Sequence, residues 1–162
     1  MIIFDLDDTL YDKTGQLSDD LRELNEIKLF SGVKEILGET EIKKVLVTCG
    51  DVVLQRRKLE ILGINNSFDN VFICPNNEDK EETFKFIVNK YNTTNYNIDK
   101  SRIFVVGNRI DSEIKYGNKL GLKTILLKHG KYKNLECKDN LEIPDYEINK
   151  IDEMGDLIKC KQ

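Results

Sequence analysis

Five short apolar runs rich in β-branched residues, the first four each followed by a stretch of helical period, constrain this chain more than any other feature. The runs are Ile2 to Phe4, Lys44 to Val47, Val71 to Cys74, Ile103 to Val106 and Thr124 to Leu127. Helical patterns lie near 51–63, 80–91 and 112–120, with a shorter helical region around 18–37. Strands this apolar need cover on both faces, and the alternation with helices is the signature of a parallel sheet packed between two helical layers. An extended piece, Tyr146 to Ile148, comes after Pro144 and leads into a terminal helix near 151–160. Residues 129–144 are polar, lack a period and read as a surface loop. No repeat or Pro-rich linker divides the 162 residues, so one α/β domain over 1–162 is expected.

The first run stops abruptly in Asp5 and Asp7. A lone acid after a strand often starts a turn or caps a helix. Here the acids form D-x-D-x-T with Thr9, directly after Ile-Ile-Phe. In open α/β sheets ligands bind beyond the carboxyl ends of the strands, and two carboxylates placed there need a cation or a shared proton to coexist. The second run ends in Thr48-Cys49-Gly50-Asp51 and the fourth in Gly107-Asn108-Arg109-Ile110-Asp111-Ser112-Glu113, while Lys80 opens the helix after the third. A parallel sheet would bring all of these to one edge.

A net charge of −4 and a pI of about 5.2 argue against nucleic acid or an anionic membrane as partner. The one tight basic cluster, Arg56, Arg57 and Lys58, reads as a solvated helix face. No apolar stretch approaches the length of a membrane span, and acids at 5, 7 and 8 rule out a signal-peptide core there, which points to the cytosol. Cys49, Cys74, Cys137 and Cys160 are too widely spaced for a zinc motif or a disulfide framework. His129, the single histidine, reads as a loop bystander.

The segments 4–10 (FDLDDTL), 47–51 (VTCGD) and 105–114 (VVGNRIDSEI), with Lys80, resemble the four motifs of the haloacid dehalogenase (HAD) superfamily. Gln55-x-x-Lys58-Leu59 is similar to the segment that often succeeds the family's second motif, and Gly121 to Ile125 to the usual sequel of its fourth. The resemblance implies a three-layer Rossmann-like fold of HAD type and a phosphatase acting on phosphate monoesters. Asp5 would attack phosphorus and carry a transient aspartyl-phosphate, and Asp7 would protonate the leaving oxygen and later deprotonate water. Thr48 would bind the phosphoryl group with the backbone N–H groups of Leu6 and Cys49, and Lys80 would balance charge. Thr9 would brace the turn. The implied cofactor is Mg²⁺, held by Asp5, the Asp7 carbonyl, Asn108 and Glu113, with Asp111 and Glu113 close enough in sequence to restore negative potential.

Asn108 departs from the family pattern, which more often has Asp at that position. A unit charge pair at about 4 Å in an effective dielectric of 20 is worth ~4 kcal/mol, comparable to the whole free energy of millimolar metal binding, about 4 kcal/mol. The expected consequence is weakened metal binding. The short spans 11–29 and 51–79 leave no room for a cap domain, so the resemblance implies a capless member acting on a phosphorylated small molecule or macromolecule, with a neighbouring subunit as one way to close the site. Two rival readings are a regulatory or binding protein that kept the fold, and a phosphoacceptor receiver with Asp51 as acceptor and Lys128 as its partner.

Overall fold

The computed structural model describes residues 1–17, 21–93 and 98–159. Six strands form one sheet in the order β3-β2-β1-β4-β5-β6, and every neighbouring pair is parallel. They are β1 (Ile2–Phe4), β2 (Lys44–Cys49), β3 (Asn70–Cys74), β4 (Phe104–Gly107), β5 (Lys123–Leu127) and β6 (Tyr146–Ile148). The extended piece after Pro144 is thus a full edge strand, paired with β5 from Ile125↔Tyr146 to Leu127↔Ile148. Strand β2 runs two residues beyond the apolar run, because Thr48 and Cys49 keep their pairing with Ile73 and Cys74.

Strict alternation along the central strands supplies two cores. Ile2, Phe4, Leu46, Phe104 and Val106 face one side, where they pack with α2 (Val33–Gly38), α3 (Val52–Ile61) and α6 (Met154–Lys159). Ile3, Val45, Val47, Ile103 and Val105 face the other, against Phe84, Ile87, Val88 and Tyr91 of α4 (Asp79–Thr93). The period of two therefore divides each strand between two helical layers, and this is the three-layer Rossmann-like architecture.

Local chemistry sets the remaining boundaries. The Asp51 carboxylate accepts from the Leu54 N–H (2.8 Å) and caps α3, which starts one residue later than the pattern implied. The region expected as one helix from 112 opens instead as a wide π-helical turn, Ile110–Ile114, before α5 (Lys115–Lys119). A short helix α1 (Lys13–Gln16) precedes the expected helical region 18–37, which separates into a 3₁₀ segment Leu21–Glu26 and α2; positions 18–20 lie outside the described residues. The expected loop 129–144 carries two 3₁₀ turns, Gly130–Tyr132 and Asn140–Glu142. The terminal helix begins as a 3₁₀ turn, Ile151–Glu153, and position 160 lies outside the described residues. No described helix is long and apolar enough to cross a membrane.

Candidate active site

Strand order reverses at β1, which has β2 on one side and β4 on the other. That makes the carboxyl ends of β1 and β4 the switch point of the sheet, where crevices form in open α/β folds. A cavity of about 410 Å³ opens there, lined by Asp5, Asp7, Thr48, Cys49, Lys80, Asn108 and Glu113 among others. Of the residues given a role from the sequence, Thr9 and Asp111 do not line it, and neither does Leu6. Its side chain is buried in the core, so only its main chain is available to a ligand.

Asp5 is fixed by its own backbone, whose N–H donates to the Val106 carbonyl at 2.9 Å. Its buried carboxylate accepts from Lys80 Nζ at 2.7 Å and from the Thr9 hydroxyl at 3.4 Å. Burial outweighs the attraction of Lys80 and, with repulsion from Glu113 and Asp7, pushes its pKa up to about 7. Lys80, from the first turn of α4, also donates to Glu113 Oε1 at 2.5 Å. Burial alone would discharge this amine, but Asp5 and Glu113 together hold its pKa well above the ordinary lysine value. The Glu113 carboxylate further accepts from the Ser112 hydroxyl (2.8 Å) and the Arg109 N–H (3.2 Å). Glu113, which the resemblance implied as a metal ligand, has its oxygens engaged by Lys80, Ser112 and the Arg109 backbone. Asp111, expected to restore negative potential, is neutralised by a two-point pair with Arg109, at 3.0 Å for each contact.

Asp7 has a different environment two residues away. It accepts from Lys58 Nζ (2.8 and 3.0 Å), the Tyr11 hydroxyl (2.7 Å) and Lys13 Nζ (3.1 Å). Burial works against its charge, but Lys58 and Lys13 more than compensate and lower its pKa. Lys58 corrects the sequence expectation. It is 2% exposed rather than solvated, and it belongs to the buried stripe Gln55, Lys58, Leu59 of α3. The spacing i, i+3, i+4 from Gln55 through Leu59 was the available signal, masked by the adjoining Arg56 and Arg57. Gln55, noted in the sequence only as part of the segment after the second motif, also takes a place in the site. Its Nε2 donates to the Thr48 hydroxyl and to the Cys49 carbonyl, both at 2.7 Å. Thr48 Oγ1 therefore accepts from Gln55 and keeps its own proton for a ligand.

Asn108 is 4% exposed, and its Nδ2 donates to the His129 carbonyl at 3.2 Å. That bond orients the amide, and no donor meets Oδ1 among the described residues. The donor set that fits a hard divalent cation is Asn108 Oδ1, the Asp5 carboxylate and the Asp7 main-chain carbonyl, all oxygen. An under-compensated buried carboxylate beside a free amide oxygen suits such a cation. Asp8, Asp12 and His129 also bring ligand atoms within 4.8 Å of one another. Each of those carboxylates already accepts two donors: Asp8 from the N–H (2.7 Å) and hydroxyl (2.6 Å) of Thr14, and Asp12 from the Gly15 N–H (2.7 Å) and His129 Nε2 (2.9 Å). Asp8 adopts φ 57°, the left-handed turn that sends the chain from Asp7 back toward Tyr11. His129 thus braces the loop through Asp12 and Phe30.

The outer lining was not anticipated from sequence. Lys13, Arg109, Lys131 and Tyr132 surround the entrance, with the Tyr132 ring between the Arg109 guanidinium (4.4 Å) and the Lys131 ammonium (4.8 Å). The receiver reading fails on geometry, because Asp51 caps α3 and Lys128 pairs with Glu147 at 3.2 Å.

A family model described as HAD-hydrolase-like matches residues 80–154. The chain is 31% identical over 118 residues to a glyceraldehyde 3-phosphate phosphatase of Methanocaldococcus jannaschii, covering 73% of this chain and 50% of that protein. It is 28% identical over 123 residues to the protein of the same name from Methanopyrus kandleri, covering 76% and 52%. The chain thus spans about half the length of these curated relatives. Among solved structures it is similar to the magnesium-bound HAD-hydrolase YfnB of Bacillus subtilis, with TM-score 0.73, 17% identity and 97% of each chain covered. It also resembles the L-2-haloacid dehalogenase of Xanthobacter autotrophicus, with TM-score 0.68, 10% identity, and 99% of this chain and 98% of that one covered. Its motifs, its fold and these relatives agree: the chain is similar to the haloacid dehalogenase-like hydrolases.

Proposed function

We propose that this chain is a phosphatase that hydrolyses a small phosphate monoester through an aspartyl-phosphate on Asp5. The observation that carries the reading is the buried Asp5–Lys80 pair at the switch point, facing a cavity that also presents Thr48 and Asp7. A cavity of about 410 Å³ suits a small phosphorylated metabolite. The name of the relatives, glyceraldehyde 3-phosphate phosphatase, makes that compound the first substrate to test.

Asp5 attacks phosphorus as the ester P–O bond breaks, and Asp7 delivers a proton to the departing oxygen. Lys80, held charged by two carboxylates, and the free Thr48 proton offset negative charge on the phosphoryl oxygens. Water then attacks the aspartyl-phosphate, Asp7 removes its proton, and Asp5 is released with inorganic phosphate. Asp7 starts ionised beside Lys58 and Lys13, so it must first gain a proton. An incoming phosphate raises the proton affinity of Asp7 by like-charge repulsion, and displaces Lys13, the more exposed of its two cations. A Mg²⁺ bound by Asp5, the Asp7 carbonyl and Asn108 would supply charge neutralisation at the phosphoryl oxygens.

The test is Mg²⁺-dependent release of phosphate from glyceraldehyde 3-phosphate and from an aryl phosphate. Asp5→Asn should abolish both, and turnover that survives this change would refute the assignment. The second reading, a binding protein with lost turnover, draws on Asn108, since neither Glu113 nor Asp111 has a free charge with which to replace the missing acid. Inactivity of the folded protein across Mg²⁺, Mn²⁺ and Co²⁺ would favour it.

A further inference from the structure

Cys49 and Cys74 are paired in register on neighbouring parallel strands, at the carboxyl end of the sheet beside the cavity. Side chains at paired positions leave the sheet on the same face. Adjacent strands lie roughly 4.8 Å apart, inside the roughly 4.4–6.8 Å Cα separation that a disulfide bridges. Both thiols are free, and each perturbs the proton affinity of the other. Cys49 also meets the Asn76 carbonyl at 3.2 Å, and Cys74 the Thr83 hydroxyl at 3.3 Å. Cys49 directly succeeds Thr48, and its carbonyl accepts the Gln55 amide that also holds the Thr48 hydroxyl.

We propose that Cys49 and Cys74 form a redox modification site, a dithiol that peroxide converts to a disulfide and that, when closed, distorts the Thr48–Gly50 cradle and stops turnover. The Cys74 thiolate attacks one peroxide oxygen, the O–O bond breaks, the departing hydroxide takes up the proton that the Cys74 thiol released and leaves as water, and Cys74 becomes a sulfenic acid. The Cys49 sulfur then attacks that sulfur, the S–O bond breaks, and the thiol proton and the departing hydroxide leave as water. Overall two thiols and one peroxide give one disulfide and two waters. The neighbouring Cys49 thiol, with help from Thr83 and Lys80, lowers the Cys74 pKa to about 6 against the effect of burial, which supplies thiolate for the first step. Cys49 lines the cavity, which gives a molecule as small as peroxide a route to the pair. Closing the bridge draws the two Cβ atoms from about the 4.8 Å strand spacing to the roughly 3.8 Å that a disulfide requires, and such strained bonds are the readily reduced, regulatory kind.

The consequence for turnover rests on the phosphatase reading, whereas the chemistry of the pair does not. The experiment treats the full chain with hydrogen peroxide, blocks residual thiols, digests with trypsin, and monitors phosphate release in parallel. The expected product joins peptides 45–56 and 59–80, with the summed mass less two hydrogens. Activity should fall by about a hundredfold, as a misplaced catalytic frame would cause, and return with dithiothreitol. Cys74→Ser should keep basal activity and resist peroxide, and Cys137→Ser should remain sensitive. Absence of the joined peptide in the wild-type chain overturns the site, whatever the variants do. A joined peptide with undiminished turnover overturns its effect on the cradle. A joined peptide in a protein that has no phosphatase activity when reduced supports the dithiol and sinks the functional proposal instead.

Discussion

Asp5 and Asp7 are identical side chains two residues apart, yet their surroundings drive their proton affinities in opposite directions. Asp5 has a raised pKa, so between about pH 4 and 7 the folded chain retains a proton that the unfolded chain has released. Its contribution to stability therefore falls as pH rises through that window, and is constant above it. Asp5→Asn cannot ionise and should be more stable than wild type by about 1 kcal/mol at pH 8 in chelator. The gap should close at pH 4, and equal melting temperatures at both pH values would contradict the buried, under-compensated charge. For Asp7 the sign is reversed: its lowered pKa gives stability that is present above pH 4 and lost as pH falls through the folded value. Lys58→Met removes the main cause of that lowering. The Asp7 limb of the pH profile for kcat/KM should then move up by about one unit. Motif spacing made Asp5, Thr48 and Lys80 legible as a group, but Lys58 was hidden because the adjoining Arg56 and Arg57 masked its spacing with Gln55 and Leu59, and its partner Asp7 lies 51 positions away.

The π-helical turn Ile110–Ile114 matters most among the elements, because it turns Ser112 and Glu113 inward toward Lys80. Periodicity cannot distinguish such a turn from the first turn of α5, since both place Ile110 and Ile114 inside. The turn approaches the end of β4 so closely that a Cβ at Gly107 would lie 2.4 Å from Glu113 Cγ and 2.6 Å from its Cβ. Gly107→Ala should cost about 1–3 kcal/mol of stability through overpacking, measured by urea unfolding, and should lower kcat by displacing Glu113 from Lys80. At the same strand end, Asn108→Asp restores the missing charge but sets a carboxylate against the His129 carbonyl, now 3.2 Å from the amide nitrogen. Attraction and repulsion partly cancel, so Mg²⁺ half-saturation should fall by about tenfold, the equivalent of 1.4 kcal/mol. An unchanged titration would show that position 108 is not a ligand. Strand ends were equally ambiguous in the sequence: β2 continues through Thr48 and Cys49 only because β3 lies beside it.

Across the whole molecule, the reversal of strand order at β1 creates the site, by setting the ends of β1 and β4 side by side. The cations at the entrance come from distant stretches, Lys13 from the turn after β1 and Lys131 and Arg109 from the segments after β5 and β4. The alternating apolar runs, the abrupt change to Asp5 and Asp7, and the chemistry at each strand end were properties of the sequence alone. They determined a parallel sheet between helices and a polar edge, because burial period and the cost of unpaired carboxylates are local facts. Which partner each charge takes was decided only by the tertiary structure. Lys58 with Asp7, Glu113 with Lys80, Asp111 with Arg109 and Cys49 with Cys74 are pairings across 51, 33, 2 and 25 positions. Even the shortest of these depends on how a turn is wound, and electrostatic interaction depends on distance in space, which sequence separation does not measure.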